Sequence, residues 1–138
     1  MAFRVSMWRA LFFVFLGILV FFDSQVDYSR FSFADIAGGA GGYIARIGIE
    51  GTISRNRGRD ALLSRVEDDG SIKAVVLRID SPGGTVGDSE ALYRQIRAIA
   101  KKKPVVAVMG NVAASGGYMT ALAADYVIAN NGTITGSI

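Results

Sequence analysis

Ile72 to Gly84 reads IKAVVLRIDSPGG, and Pro104 to Gly117 reads PVVAVMGNVAASGG. Each begins with an apolar, largely β-branched run and ends in glycine and other small residues. Such nearly continuous runs suit strands covered on both faces, so Ile72 to Ile79 and Pro104 to Met109 are predicted as buried strands. Between them Thr85 is placed to cap a helix with Asp88 three residues on, and Leu92, Ile96, Ile99 and Ala100 form one apolar face. Pro104 stops that helix, and Lys101 to Lys103 fall in its last turn, where cations complement the dipole. Two parallel strands, each followed by a glycine-rich turn into a helix, predict an α/β layered domain with its site at the strand C-terminal ends.

Outward from this centre the alternation continues. Tyr43 to Glu50 places Ala45, Ile47 and Ile49 on one face with period two, a strand closed by Gly51. Ala61 to Glu67 is a helical patch, with Leu62, Leu63 and Val66 on one side. Beyond Gly117 follow a small-residue helix, Tyr118 to Ala124, and a further strand, Tyr126 to Ala129.

The chain has 138 residues, 51% of them apolar and 20% charged, enough for one domain with a modest core. Its zeros narrow the chemistry. With no cysteine there is no disulfide, thiol nucleophile or zinc-cysteine site, and with no histidine the chain cannot supply a Ser-His-Asp triad. Fifteen basic against 12 acidic residues, a net +3, is too small and too scattered an excess to indicate nucleic acid.

Residues 1–22 read differently from the rest. Ala10 to Phe22, ALFFVFLGILVFF, holds no polar side chain. As a helix it spans about 20 Å against a hydrocarbon core of roughly 30 Å, so Val5 to Trp8 are recruited while Arg9 snorkels. Arg4 and Arg9 precede the segment and Asp23 and Asp27 follow it, which puts the N-terminus in the cytoplasm and the remainder outside. The segment is read as an uncleaved single-pass anchor in contact with the lipid bilayer. A cleavable signal is the competing reading, although DSQVDYS after Phe22 offers no convincing cleavage site. Residues 23–42 turn polar and end in GGAGG, a flexible linker, so the folded domain is placed at 43–138.

The two strand ends carry the candidate chemistry. A serine flanked by small residues at a strand-to-helix turn presents its hydroxyl free of crowding, and the following amide faces an incoming oxyanion. That describes Ser115 and Gly116. A neighbouring turn with two glycines, Gly83 and Gly84, can lend another backbone N–H and let a substrate main chain approach closely. Together they form an acyl-transfer site. Singly, each motif is also an ordinary turn or a close-packed helix start.

RIDSPGGTVGDSEALYRQIR, followed by KPVVAVMGNVAASGGYMTALAADYVIANNGTITGSI, resembles the signal peptide peptidase A family of membrane-anchored serine peptidases, peptidase family S49, in its half-length form. The ordered set IEGTI, DSPGG, AASGGY and TGSI carries the likeness, which runs from Tyr43 onward. It implies a fold shared with Clp protease and the crotonases, Ser115 as nucleophile, and oxyanion donors from Gly116 and from Gly84 or Gly83. It implies a lysine general base in place of histidine. None of Lys73, Lys101, Lys102 or Lys103 matches the family position for it, and the sequence is read as an N-terminal fragment whose lysine lies beyond it. The implied substrates are signal peptides and other apolar peptides, with self-association into homo-oligomers by the full-length protein and no metal or organic cofactor. A crotonase-like thioester enzyme and a non-catalytic membrane scaffold are the alternatives.

Overall fold

The computed structural model describes residues 41–138. The expected anchor at Ala10 to Phe22, and the expected linker as far as residue 40, lie outside the described residues. Among the described residues no helix is long and apolar enough to cross a membrane.

In chain order the elements are β1 (Tyr43–Ile53), α1 (Arg57–Asp68), β2 (Ile72–Gly84), α2 (Val86–Ala100), β3 (Val105–Ala114), α3 (Gly116–Ala121), β4 (Tyr126–Ala129) and β5 (Ile134–Gly136). The strands lie in the order β1-β2-β3-β4, all parallel, and β5 pairs with β3. Besides β2, β3 pairs with two further strands, because β4 covers Val106 to Met109 and β5 covers Val112 to Ala114. The alternation predicted from Ile72 and Pro104 is thus present, and so is the crossover helix between them.

Both helix starts on this path are capped by side chains. Asn56 accepts the Arg59 N–H at 3.0 Å, starting α1 four residues before the predicted patch. Thr85 accepts the Asp88 N–H at 3.2 Å and donates to its carboxylate at 2.7 Å, as the spacing predicts. Leu92, Ile96, Ile99 and Ala100 of α2 are buried against Val75, Leu77 and Ile79 of β2 and Val105 and Ala107 of β3 in one core.

Four expectations need correction. The β2 and β3 runs were expected to be covered on both faces, but burial alternates: Val75, Leu77 and Ile79 are buried, Val76 is half-buried and Arg78 exposed. The apolar residues on the second face reflect β-propensity as much as burial. The strands also run further than their apolar stretches. β1 continues through Gly51 to Ile53, β2 through the DSPGG segment, and β3 through Gly110 to Ala114, because backbone pairing with neighbours holds segments that read as turns. The last helix begins at Gly116 and ends at Ala121, earlier than predicted at both ends. Finally, α2 ends at Ala100, and the lysines beyond it serve α1: Lys103 donates to the carbonyls of Val66 and Asp69 at 2.7 and 2.9 Å, and Lys102 pairs with Glu67 and Asp68.

Candidate active site

The C-terminal ends of β2 and β3 are built by short polar pins. Register shifts occur between Glu50 and Thr52 and between Ile79 and Ser81, and side chains replace the interrupted ladder. Ser81, fully buried, donates to the Gly51 carbonyl at 2.6 Å and accepts the Gly83 N–H at 3.1 Å. Asp80 accepts the Val112 N–H at 3.1 Å. It reaches across because residue 110 is glycine: a Cβ there would lie 2.8 Å from the Asp80 carboxylate.

At the end of β3 the chain turns sharply into α3. Ser115 holds φ +49° and ψ −122°. A non-glycine residue in such a conformation costs on the order of 1–3 kcal/mol and persists only where its surroundings over-determine it. Here its N–H donates to the Gly136 carbonyl of β5 at 2.7 Å, and its carbonyl accepts from Met119 at 2.9 Å. Its side chain makes no capping bond to α3 and is half-buried at the junction. This is the geometry that presents a hydroxyl outward from a strand-to-helix turn.

Gly83, at φ +101°, is in backbone contact with this junction: a Cβ on it would stand 2.8 Å from Gly116 N, 3.0 Å from Ala114 O and 3.0 Å from Ser115 Cβ. A Cβ on Gly84 would overlap the Ile53 carbonyl at 1.8 Å, and one on Gly117 would press on the Ser81 carbonyl at 2.6 Å. The two segments that looked like ordinary turns are therefore side by side, main chain against main chain, with Ser115, Gly116, Gly83 and Gly84 in one cluster. A hydroxyl on a strained turn, packed against the glycine main chain of a second strand end, suits acyl transfer.

No lysine is near. The sequence has four, and all stand at the N-terminal ends of the strands, Lys73 beginning β2 and Lys101 to Lys103 leading into β3. The length of β3 lies between them and Ser115. A cavity of about 320 Å³ lies between β1 and the start of α1, lined by Arg46, Glu50, Ile53, Asn56, Arg59 and Leu62 among others, and includes none of the four site residues.

Residues 97–138, which contain this junction, match the family model of peptidase family S49. Protease 4 of Haemophilus influenzae is 45% identical over 105 residues, 69% of this chain and 17% of the relative. Protease 4 of Salmonella typhi is 42% identical over 125 residues, covering 83% and 20%. Over these stretches the chain is similar to peptidase family S49. The chloroplastic serine protease SPPA of Arabidopsis thaliana adds 40% identity over 130 residues, 82% of this chain and 19% of the relative. The chain thus spans a fifth or less of the length of these curated relatives.

Among solved structures, a membrane-bound stomatin-specific protease superposes with a TM-score of 0.58 at 23% identity, covering 69% of this chain and 47% of that one. An enoyl-CoA hydratase/isomerase family member superposes at 0.56 with 20% identity, covering 72% and 48%. At such identities the likeness is one of fold alone, a layered α/β arrangement around a parallel sheet.

Sequence reasoning missed the groups that hold the site together. Asp80 and Ser81 stand in the DSPGG segment, which by sequence reads as an ordinary turn. Ser89 passed unnoticed although a signal was there: it stands at i−3 and i−7 from Leu92 and Ile96, a hydroxyl in the apolar stripe of α2.

Proposed function

We propose that this chain is the N-terminal part of a membrane-anchored serine endopeptidase in which Ser115 is the nucleophile. The observation that carries the reading is the backbone of Ser115, held at φ +49° on a strand-to-helix junction with its side chain free of the helix cap. Its Oγ attacks a peptide carbonyl carbon, and the negative charge that forms on the carbonyl oxygen is held by backbone N–H groups of Gly116 and Gly84. Gly84 is favoured over Gly83 because the Gly83 N–H is already given to Ser81 Oγ.

The proton leaving Ser115 goes to a lysine amine, lowered in pKa by burial, which returns it to the leaving amine as the tetrahedral intermediate collapses. Water then attacks the acyl-enzyme and regenerates the hydroxyl. The four lysines of these 138 residues stand at the wrong end of the sheet, so this amine comes from beyond them. Signal peptides and other apolar segments close to the bilayer are the substrates, the domain faces outward from the cytoplasmic membrane, and the full-length protein self-associates. No metal or organic cofactor enters this reaction.

The test is peptide hydrolysis and fluorophosphonate labelling of the full-length protein with and without Ser115→Ala. Loss of both is expected. Persistence of both in Ser115→Ala, with loss in Ser81→Ala, overturns the assignment, and a folded natural protein that neither labels nor hydrolyses is a scaffold. For topology, a reporter fused after Gly42 should be active outside the cytoplasm and stay with membranes through a carbonate wash. A soluble product beginning near Asp23 would overturn the anchor.

A further inference from the structure

Ser89 lies on α2 four residues after its cap, Thr85, and is 1% exposed. The usual acceptor for a helical serine hydroxyl is the carbonyl four residues back. That carbonyl takes the Ser89 N–H at 3.0 Å, and Ser89 Oγ has no hydrogen-bond partner among the described residues. A buried hydroxyl without a partner is a net cost that alanine would remove. Its place in the apolar stripe therefore calls for a reason beyond packing.

The surroundings supply one. A Cβ on Gly116 would stand 2.0 Å from Ser89 Oγ, 2.8 Å from Ser89 Cβ and 3.4 Å from Gly84 N. Ser89 thus fills the space against the α-carbon of Gly116, whose amide is assigned above to the oxyanion, and Gly84 N borders that same space. It is sealed from solvent, so a substrate does not touch it. The surroundings are of low dielectric, and a hydroxyl with no fixed partner is free to turn its dipole toward charge developing close by.

We propose that Ser89 is a positioning residue of this site: its side chain fixes the Gly116 N–H, and its hydroxyl dipole answers the oxyanion when the tetrahedral intermediate forms. The inference rests on the reading of Ser115 as nucleophile. A group that responds only to charge absent from bound substrate acts on kcat and leaves KM alone.

The experiment compares the full-length wild-type protein with Ser89→Ala, which removes the hydroxyl and keeps the volume. Expected are an equal or higher melting temperature, an unchanged KM, and a kcat lower by about tenfold, less than the 10²- to 10³-fold of a direct oxyanion donor. The rate of fluorophosphonate capture at Ser115 should fall with kcat. Unchanged kcat with a raised melting temperature would make Ser89 a spacer and overturn the inference. A second variant separates bulk from hydroxyl: Gly116→Ala combined with Ser89→Gly moves a methyl into the vacated space. It should fold yet stay at least as slow as Ser89→Ala, and full recovery of kcat would also overturn the inference. Ser115→Ala is run alongside. If it still labels and hydrolyses, the nucleophile assignment has failed; if it is dead while Ser89→Ala is unimpaired, only the role of Ser89 has.

Discussion

The two ends of the parallel sheet are made of different materials. At the N-terminal ends of the strands, long charged side chains do the holding: Lys102 pairs with Glu67 and Asp68, Lys103 closes the last carbonyls of α1, and Asp69 accepts from Ser71. At the C-terminal ends the work falls to short groups, with Ser81, Asp80 and Ser89 packed among Gly83, Gly84, Gly116 and Gly117. The charged end tolerates adjustment because flexible chains can find new partners. The glycine end does not, because main chain meets main chain there. Rigid backbone amides are what an oxyanion requires, since donors that need no reorganisation stabilise the developing charge most.

The sharpest break in this comparison is Ser115→Ala. Turnover of the full-length protein should fall by a factor on the order of 10⁴ to 10⁶, while the melting temperature stays within the effect of about 0.5 kcal/mol expected of a small substitution without a packing role. A matching fall in stability would instead make the strained junction a structural element.

Next in size is Gly84→Ala. Because its Cβ would overlap the Ile53 carbonyl at 1.8 Å, β1 and β2 must separate there, and we expect a loss of about 3 kcal/mol or more in denaturant unfolding. Gly87→Ala, three residues on, meets nothing within 4 Å and should stabilise α2 by about 0.5–1 kcal/mol. Equal effects of the two would mean that the sheet end yields as easily as the helix surface.

At the charged end, Lys103→Met should cost about 1 kcal/mol through the lost bonds to Val66 and Asp69, a shift of several degrees in melting temperature. Turnover per folded molecule should be unchanged. A loss of kcat there would show that the two ends are coupled.

The smallest effect is one of pH. The Ser71 hydroxyl, and after it the Ser71 N–H, holds the Asp69 carboxyl below its ordinary 3.8. A lowered folded-state pKa gives stability that is present above the unfolded value and lost as pH falls through the folded one. Ser71→Ala should raise the Asp69 titration midpoint followed by NMR. The stability gap between variant and wild type should exist at neutral pH and close in acid. A gap that persists in acid would assign the effect to the turn and not to the carboxylate.

Much of this was legible in the order of residues. The β-branched runs at Ile72 and Pro104, the Thr85 cap with Asp88, and the ASGG and SPGG clusters determined the α/β alternation and pointed to Ser115, Gly116, Gly83 and Gly84. Periodicity, caps and glycine clusters act over a few neighbours and leave a local signature. The tertiary structure alone decided three things. It extended β2 and β3 through segments that read as turns, since the Ser81 and Asp80 bonds that hold them come from partners about 30 residues away. It sent the lysine run to cap α1, because the carbonyls it serves belong to a helix distant in sequence. And it set Ser89 against Gly116, which only the approach of α2 to α3 could do: a hydroxyl has no periodicity of its own, and its meaning depends on what the fold brings beside it.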